Sequence, residues 1–338
     1  MKRWFCLCLL FFTAGSRADV VGHHEGAHDL LLSGDGKIAF SSGENGTRVW
    51  DVAGKRELAP LPVQAGQIIA ASQDGRRVLC RRGQRQAERE LWDLALWWRP
   101  ATAWKKGTTV RTAAAEPLLD ATFAGSEVVL LWEQGIERQD ASRQLRRKIP
   151  LKELQGHKTQ GALSPDGTRA VATGYVAEQS VALIYDAATG RALKQINLAQ
   201  FNSYSGWEFS PNNRAIGAVV GEAVRPWNPN NGPQPWQFTR TLWDAQTGDE
   251  LSSSYDFSLN FWPHGRQVSL VERPDNAPWK LELFDVFTEK TRPLPFSQPW
   301  KKQALKTWGF SHDGKTLVAL DLKGALWVER VRSSPYKT

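Results

Sequence analysis

Cysteine is scarce in this chain, with three in 338 residues, and two of them, Cys6 and Cys8, fall in an apolar stretch at the N-terminus. Once that stretch is set aside Cys80 stands alone, so the folded part has no internal disulfide and must draw its stability from a core. Met1 is the single methionine, which excludes copper held by thioethers. Beyond the N-terminus no run approaches eighteen apolar residues, so a spanning helix is not expected. Helical periodicity is missing throughout. That removes phosphate-binding glycine loops, which need a helix N-terminus to follow, and no Gly-x-Ser-x-Gly elbow is present either. The paired acids Asp249-Glu250 read as solvated turn residues. Histidine is also sparse, and the cluster of His23, His24 and His28 has neither a cysteine nor a second cluster to complete a metal site. No catalytic residue, metal or cofactor is therefore assigned.

What is present begins with Lys2 and Arg3, followed by an apolar run from Trp4 to Phe12 and small residues at Ser16 and Ala18. This is the pattern of a cleavable export signal over residues 1–18, too short to span a bilayer. The full chain carries 43 basic and 35 acidic residues, a formal charge of +8; without residues 1–18 the balance is 40 to 35, or +5. So mild an excess on an exported chain argues against a nucleic-acid partner. Export with a lone thiol points to a bacterial periplasm or a secreted protein. Asn45-Gly46-Thr47 reads as a turn more readily than as a glycosylation site.

The remainder is built from two repeated phrases. The first is a turn that opens an apolar run: Ser33-Gly34-Asp35-Gly36, Ser72-Gln73-Asp74-Gly75, Ser164-Pro165-Asp166-Gly167, Ser210-Pro211-Asn212-Asn213, Pro263-His264-Gly265 and Ser311-His312-Asp313-Gly314. The second is an aromatic residue followed by Asp, at Trp50-Asp51, Trp92-Asp93, Tyr185-Asp186, Trp243-Asp244 and Phe284-Asp285. The interval from Asp93 to Asp186 is about twice the usual step, which exposes a degenerate unit over residues 109–155. Within residues 156–200 the phrases divide the chain into four short strands, Arg169 to Thr173 and Ser180 to Tyr185 among them, as in an antiparallel meander buried on both faces.

On these residues, and most closely on Trp243-Asp244-Ala245-Gln246-Thr247-Gly248 and Trp50-Asp51-Val52-Ala53-Gly54, the chain resembles a WD-repeat β-propeller across residues 22–332. The resemblance implies an all-β fold, a single seven-bladed β-propeller of four-stranded antiparallel blades. The units start near 22, 64, 109, 156, 201, 255 and 301, so the propeller occupies 19–332 and a tail 333–338. The family's hydrogen-bonded set of Asp, His, Ser and Trp is incomplete here, with Gly22-His23 at its usual distance from Ser33. The last unit lacks a fourth strand, and Asp19-Val20-Val21 is expected to supply it and close the ring.

In such a meander the connection between second and third strands and the link to the next unit share one end of the ring, and the extra residues fall there. One insertion runs from Glu222 to Thr239 and holds Arg225, Trp227 and Trp236; another holds Arg273 and Trp279; a basic loop from Arg81 to Arg89 holds Arg82 and Arg85. Trp and Arg are favoured interface anchors, and proline stiffens the loops that carry them. These seven residues are the candidate partner-binding set, for a protein partner whose identity the sequence does not give. The structural alternative has the same tryptophans pinning long loops to the ring. Trp50, Trp92, Trp243 and Trp327 are assigned to the core of third strands, and Trp207, Trp262 and Trp308 to first strands. Trp97, Trp98 and Trp104 are candidates for a minor exposed patch. Arg143 to Lys148 reads as a solvated strand edge, with binding of an anionic envelope component as the alternative. The rival function is an enzyme at the central channel, a lactonase-like hydrolase or a quinone-dependent dehydrogenase, although only Tyr175-Val176 survives of the lactonase-type Tyr-Val-Thr-Asn repeat.

Overall fold

A computed structural model describes residues 19–330, apart from 87–88, 101–102, 115–116, 141–144, 155–159, 199–202, 211, 224–235, 255–259, 263–265, 272–279, 286–289, 294–304 and 312–315. The described residues form seven four-stranded antiparallel sheets. The first comprises Ala27–Leu32, Ile38–Gly43, Gly46–Asp51 and Arg56–Leu61, and the second Gln67–Ala71, Arg77–Gln86, Arg89–Trp98 and Lys105–Ala114. Leu118–Ala124, Glu127–Trp132, Gly135–Asp140 and Leu145–Pro150 make the third; Gly161–Leu163, Arg169–Val176, Gln179–Asp186 and Ala192–Asn197 the fourth. The fifth has Ser203–Phe209, Ala215–Ala223, Trp236–Asp244 and Glu250–Ser254, and the sixth Asn260–Trp262, Arg266–Val271, Lys280–Asp285 and Lys290–Pro293. The seventh joins Leu305–Phe310, Thr316–Asp321 and Ala325–Arg330 to the N-terminal strand Asp19–His23.

First strands of neighbouring sheets lie side by side, the seventh against the first, then on in chain order to the fifth, and the sixth against the seventh. This is the layout of a β-propeller. Sheets stacked face to face must bury both sides of their middle strands, which therefore read as continuous apolar runs. Ala170, Val171 and Ala172 are fully buried, as are Leu317 to Leu320. The core accordingly lies between sheets. Phe40 and Val49 of the first sheet pack with Val78 and Cys80 of the second. Trp50, on the opposite face of the first sheet, packs with Val318, Leu320, Leu326 and Val328 of the seventh. Outer strands are different, and most of Arg56–Leu61 is exposed.

Each Ser-x-Asp-Gly phrase that lies wholly within the described residues closes the turn between first and second strands by side-chain-to-backbone bonding. Ser33 Oγ donates to Asp35 Oδ1 at 2.8 Å and accepts the Ile38 amide at 3.0 Å. The arrangement recurs at Ser72, Ser164 and Ser210, where Asn212 replaces the aspartate. Asp186 and Asp244 cap the next turn of their sheets, Asp186 Oδ1 accepting the amides of Ala188 and Thr189 and Asp244 Oδ1 those of Gln246 and Thr247. Burial disfavours the charge of Asp74, Asp166 and Asp186, but these hydrogen bonds outweigh it and hold all three carboxyls below their ordinary value.

Three expectations need correction. The degenerate unit begins at Leu118 rather than 109, because residues 109–114 belong to the fourth strand of the second sheet. The Arg81–Arg89 segment is not a loop, since its residues through Gln86 continue one strand and Arg89 opens the next. Trp97 and Trp104 are buried, leaving Trp98 exposed. Trp104 reaches the first sheet, where its Nε1 donates to the Ala59 carbonyl at 3.1 Å. On Leu145–Pro150, Arg146 is engaged within the sheet, forming a bidentate pair with buried Glu137 at 2.6 and 2.8 Å.

Candidate functional site

The two ends of the ring are built differently. Turns between first and second strands, and between third and fourth, share one end, and the repeated phrases in the described residues sit there except Trp92-Asp93, which pairs with Gly83 and Arg82 toward the opposite end of the second sheet. The opposite end carries the links between sheets and the connections from second to third strand. Of six exposed large apolar side chains among the described residues, four belong to it. Val63 is 74% exposed in the 3-10 turn between the first two sheets, and Leu322 is 66% exposed in the seventh sheet's connection. Tyr175 lies near the same end of the fourth sheet and Phe238 of the fifth.

The sequence-derived binding residues fall at this end as far as they are described. Arg82 is exposed on the second strand of the second sheet, Arg85 lies on the same strand, and Trp236 opens the third strand of the fifth. Arg225, Trp227, Arg273 and Trp279 lie outside the described residues. Val63 and Leu322 had no sequence signal, because single apolar residues in short connections resemble ordinary turn content, whereas Phe238 falls within the Glu222 to Thr239 stretch and Tyr175 in the Tyr175-Val176 pair that the sequence singled out.

Along the axis, the first strands of sheets one to five line a cavity of about 980 Å³. Its wall is largely Leu, Ile, Ala and Gly, with Phe123, Trp207 and Phe209, and its polar groups include Gln73, Asp120, Thr122, Asp166 and Glu208. A second space of about 260 Å³ opens beside it, lined by Leu31, Ile68 and Leu118 with Asp29, Gln67 and Arg81. Arg81 donates to Gln67 Oε1 at 2.9 Å.

Asp120 is the buried carboxylate of this wall. Its Oδ2 accepts the Leu163 amide of the next sheet at 2.7 Å, and its Oδ1 accepts the adjacent Ala121 amide at 2.7 Å. By area it is only partly covered, because it touches the cavity, yet protein surrounds it and that surrounding governs the cost of its charge. Burial raises the carboxyl to about 6 against the opposing pull of the two amides. A group protonated more readily in the folded chain makes stability fall as pH rises between its unfolded and folded values, here from about 4 to about 6. Carboxyls with lowered values, such as Asp166, act with the opposite sign and at lower pH. Urea unfolding across this window should therefore show stability declining in the parent chain and much less in Asp120→Asn; parallel curves would mean that Asp120 titrates normally.

His24, not His23, is the ring that enters the first sheet. It is buried, its Nδ1 lies 2.8 Å from Ser41 Oγ, and Trp50 Nε1 donates to the same oxygen at 2.8 Å. Burial and then the charge of Arg48 lower its pKa, so the neutral ring is favoured. Among the described residues no three His, Cys, Asp or Glu side chains are grouped as metal ligands. Cys80 is free and buried, and burial pushes its thiol up, which makes it a packing residue. No helix of the described residues is long and apolar enough to cross a membrane.

Comparison with known proteins gives the fold. No family model matches the chain, and no curated protein matches it. Among solved structures, hydrazine synthase of Kuenenia stuttgartiensis is similar at a TM-score of 0.55 and 13% identity, over 92% of this chain and 97% of that one. A chain of a mitotic checkpoint complex is similar at a TM-score of 0.57 and 16% identity, over 98% of this chain and all of that one. At such identities the likeness is one of β-propeller architecture, hosted by one enzyme and one protein assembly.

Proposed function

We propose that this chain is an exported, non-catalytic interaction scaffold of the WD-repeat type, whose seven sheets are the blades of one closed ring. The end bearing the between-sheet links would receive a protein partner. The observation that carries this reading is the division of the ring: aspartate-capped turns close one end, while four of the six exposed large apolar side chains among the described residues fall at the other. Rigid scaffolds commonly place recognition on such connections. Export and a periplasmic or secreted location come from the N-terminal signal pattern. No cofactor, metal or nucleic acid enters the proposal. An anionic envelope component remains a secondary partner, suited to exposed Arg147 and Lys148 on the outer strand of the third sheet.

The enzymatic reading has the Asp120 carboxyl in its favour. Both oxygens of that carboxyl are engaged by backbone amides, however, and the cavity around it is mainly aliphatic and aromatic, which supports binding over catalysis.

Two measurements test the scaffold. A photo-crosslinking residue at Val63 or Leu322 should capture partner in cells, while one at Gln246, at the other end, should not. Replacing Trp227, Trp236 and Trp279 together with Ala should abolish capture and move the melting temperature by no more than about 2 °C. Should the triple variant unfold, or capture partner as before, those tryptophans are structural. Crosslinking from Gln246 alone would place the partner at the wrong end.

A further inference from the structure

The second sheet differs from the first and third at the end bearing the between-sheet links, and extends furthest past its first strand. Its second strand pairs with its third along the whole length, from Arg77 opposite Trp98 to Gln86 opposite Arg89. The fourth strand follows the third out to Ala114 opposite Trp92. The first strand does not follow, and its pairing stops at Gln67 opposite Arg81. In the first and third sheets, by comparison, the first strand covers the second to its end, at Ala27 opposite Gly43 and Leu118 opposite Trp132. Three strands of the second sheet thus extend past the first. Gly66 approaches to within 3.1 Å of the Arg82 Cα when given a Cβ, so chain still covers Arg82 there. Beyond it, residues 83–86 have no strand partner on the inner side among the described residues.

A bare edge presents amide and carbonyl groups at a two-residue spacing, ready for another strand. Its charge selects which strand. At this end of the sheet, residues 81–94 and 109–114 hold five basic and three acidic side chains. Arg82 is exposed beside the bare stretch and Arg85 lies within it. At its foot lies the 260 Å³ pocket, in which Arg81 meets Leu31, Ile68 and Leu118.

We propose that this edge takes up an extended acidic segment of the protein partner by strand addition, with an aliphatic side chain of the segment entering the pocket below. The proposal rests on the reading of this end as the partner surface. Backbone pairing supplies affinity, and Arg82 and Arg85 select carboxylates over basic sequences. Asp29 at the pocket disfavours an acidic residue there, so the carboxylates belong along the strand above it.

The probe is a fluorescein-labelled peptide, Leu-Glu-Val-Glu-Val-Glu, titrated by anisotropy into the full exported chain at low salt. N-methylation of alternate amides on the pairing edge should weaken binding about tenfold or more, as the loss of two or three hydrogen bonds requires. Lys in place of Glu, or the double variant Arg82→Glu, Arg85→Glu, should weaken it about as much, with an unchanged melting curve showing that the variant is folded. Equal binding of the N-methylated peptide would reveal a purely electrostatic surface for polyanions and overturn the proposal. Absence of binding up to about 1 mM would overturn it as well. Crosslinking from Val63 and Leu322 separates the two levels: if it persists when the peptide fails, the partner surface stands and strand addition falls.

Discussion

A chain beginning at Glu25 should melt roughly 10 °C below one beginning at Asp19, corresponding to a loss on the order of 5 kcal/mol. Residues 19–23 are the outer strand of the seventh sheet, paired with Ala325–Arg330 from the far end of the chain. Removing them bares that edge and gives up several ladder hydrogen bonds, each with a net worth of about 1 kcal/mol. It also uncovers a core residue. Gly22 lies against the Trp50 ring so closely that a Cβ there would collide with it, and Val21 packs on the cluster around Trp50. His24 leaves too, and with it the contact to Ser41. Val20→Ser is the control, because Val20 is 52% exposed and should tolerate the change within about 0.5 kcal/mol. Equal melting of the two chain lengths would show that the ring does not depend on this strand.

Gly36→Ala is expected to cost about 2–4 kcal/mol, from two sources that can be measured separately. Gly36 has φ +66, a left-handed conformation that charges an L-residue about 1 kcal/mol. The new methyl would also strike Ser311 of the seventh sheet, whose Oγ accepts the Thr316 amide and closes that sheet's own turn. The turns are therefore linked around the ring, and a further bond makes the same point: the Asp35 amide donates to the Gln73 carbonyl of the second sheet at 2.8 Å. Gly125 separates the two sources, since its φ is +62 but nothing lies within 4 Å of its missing Cβ. Chemical denaturation should place Gly125→Ala near the backbone cost alone and Gly36→Ala well beyond it. Matching values would sink the linked-turn account.

Much of the architecture could be read from the chain because its turns are made by neighbours in sequence. Ser33, Asp35 and Ile38 bond within five residues, so the phrase carries its structure with it. Where the phrase is missing the reading slipped. The third sheet turns at Ala124-Gly125-Ser126, and the strand Lys105–Ala114 was divided because nothing local marks its end. Trp104 looked like a surface residue until the first sheet, folded beside it, supplied the Ala59 carbonyl for its indole. Asp120 carried a fainter sign, one acid within an apolar run, but its partner Leu163 lies 43 residues away.

The sequence by itself determined an all-β chain of repeated antiparallel units, since glycine conformation and side-chain-to-backbone bonds act over a few residues. Tertiary structure decided what depends on contacts between sheets. It paired residues 19–23 with 325–330, seated His24 rather than His23 beside Ser41, and turned the basic segment 81–86 into an extended strand whose pairing with the first strand stops at Arg81. It also sorted the repeated turns to one end of the ring and most of the exposed apolar residues among the described ones to the other. Those outcomes follow from which surfaces are buried against which, and burial between distant segments leaves no short-range mark in the chain.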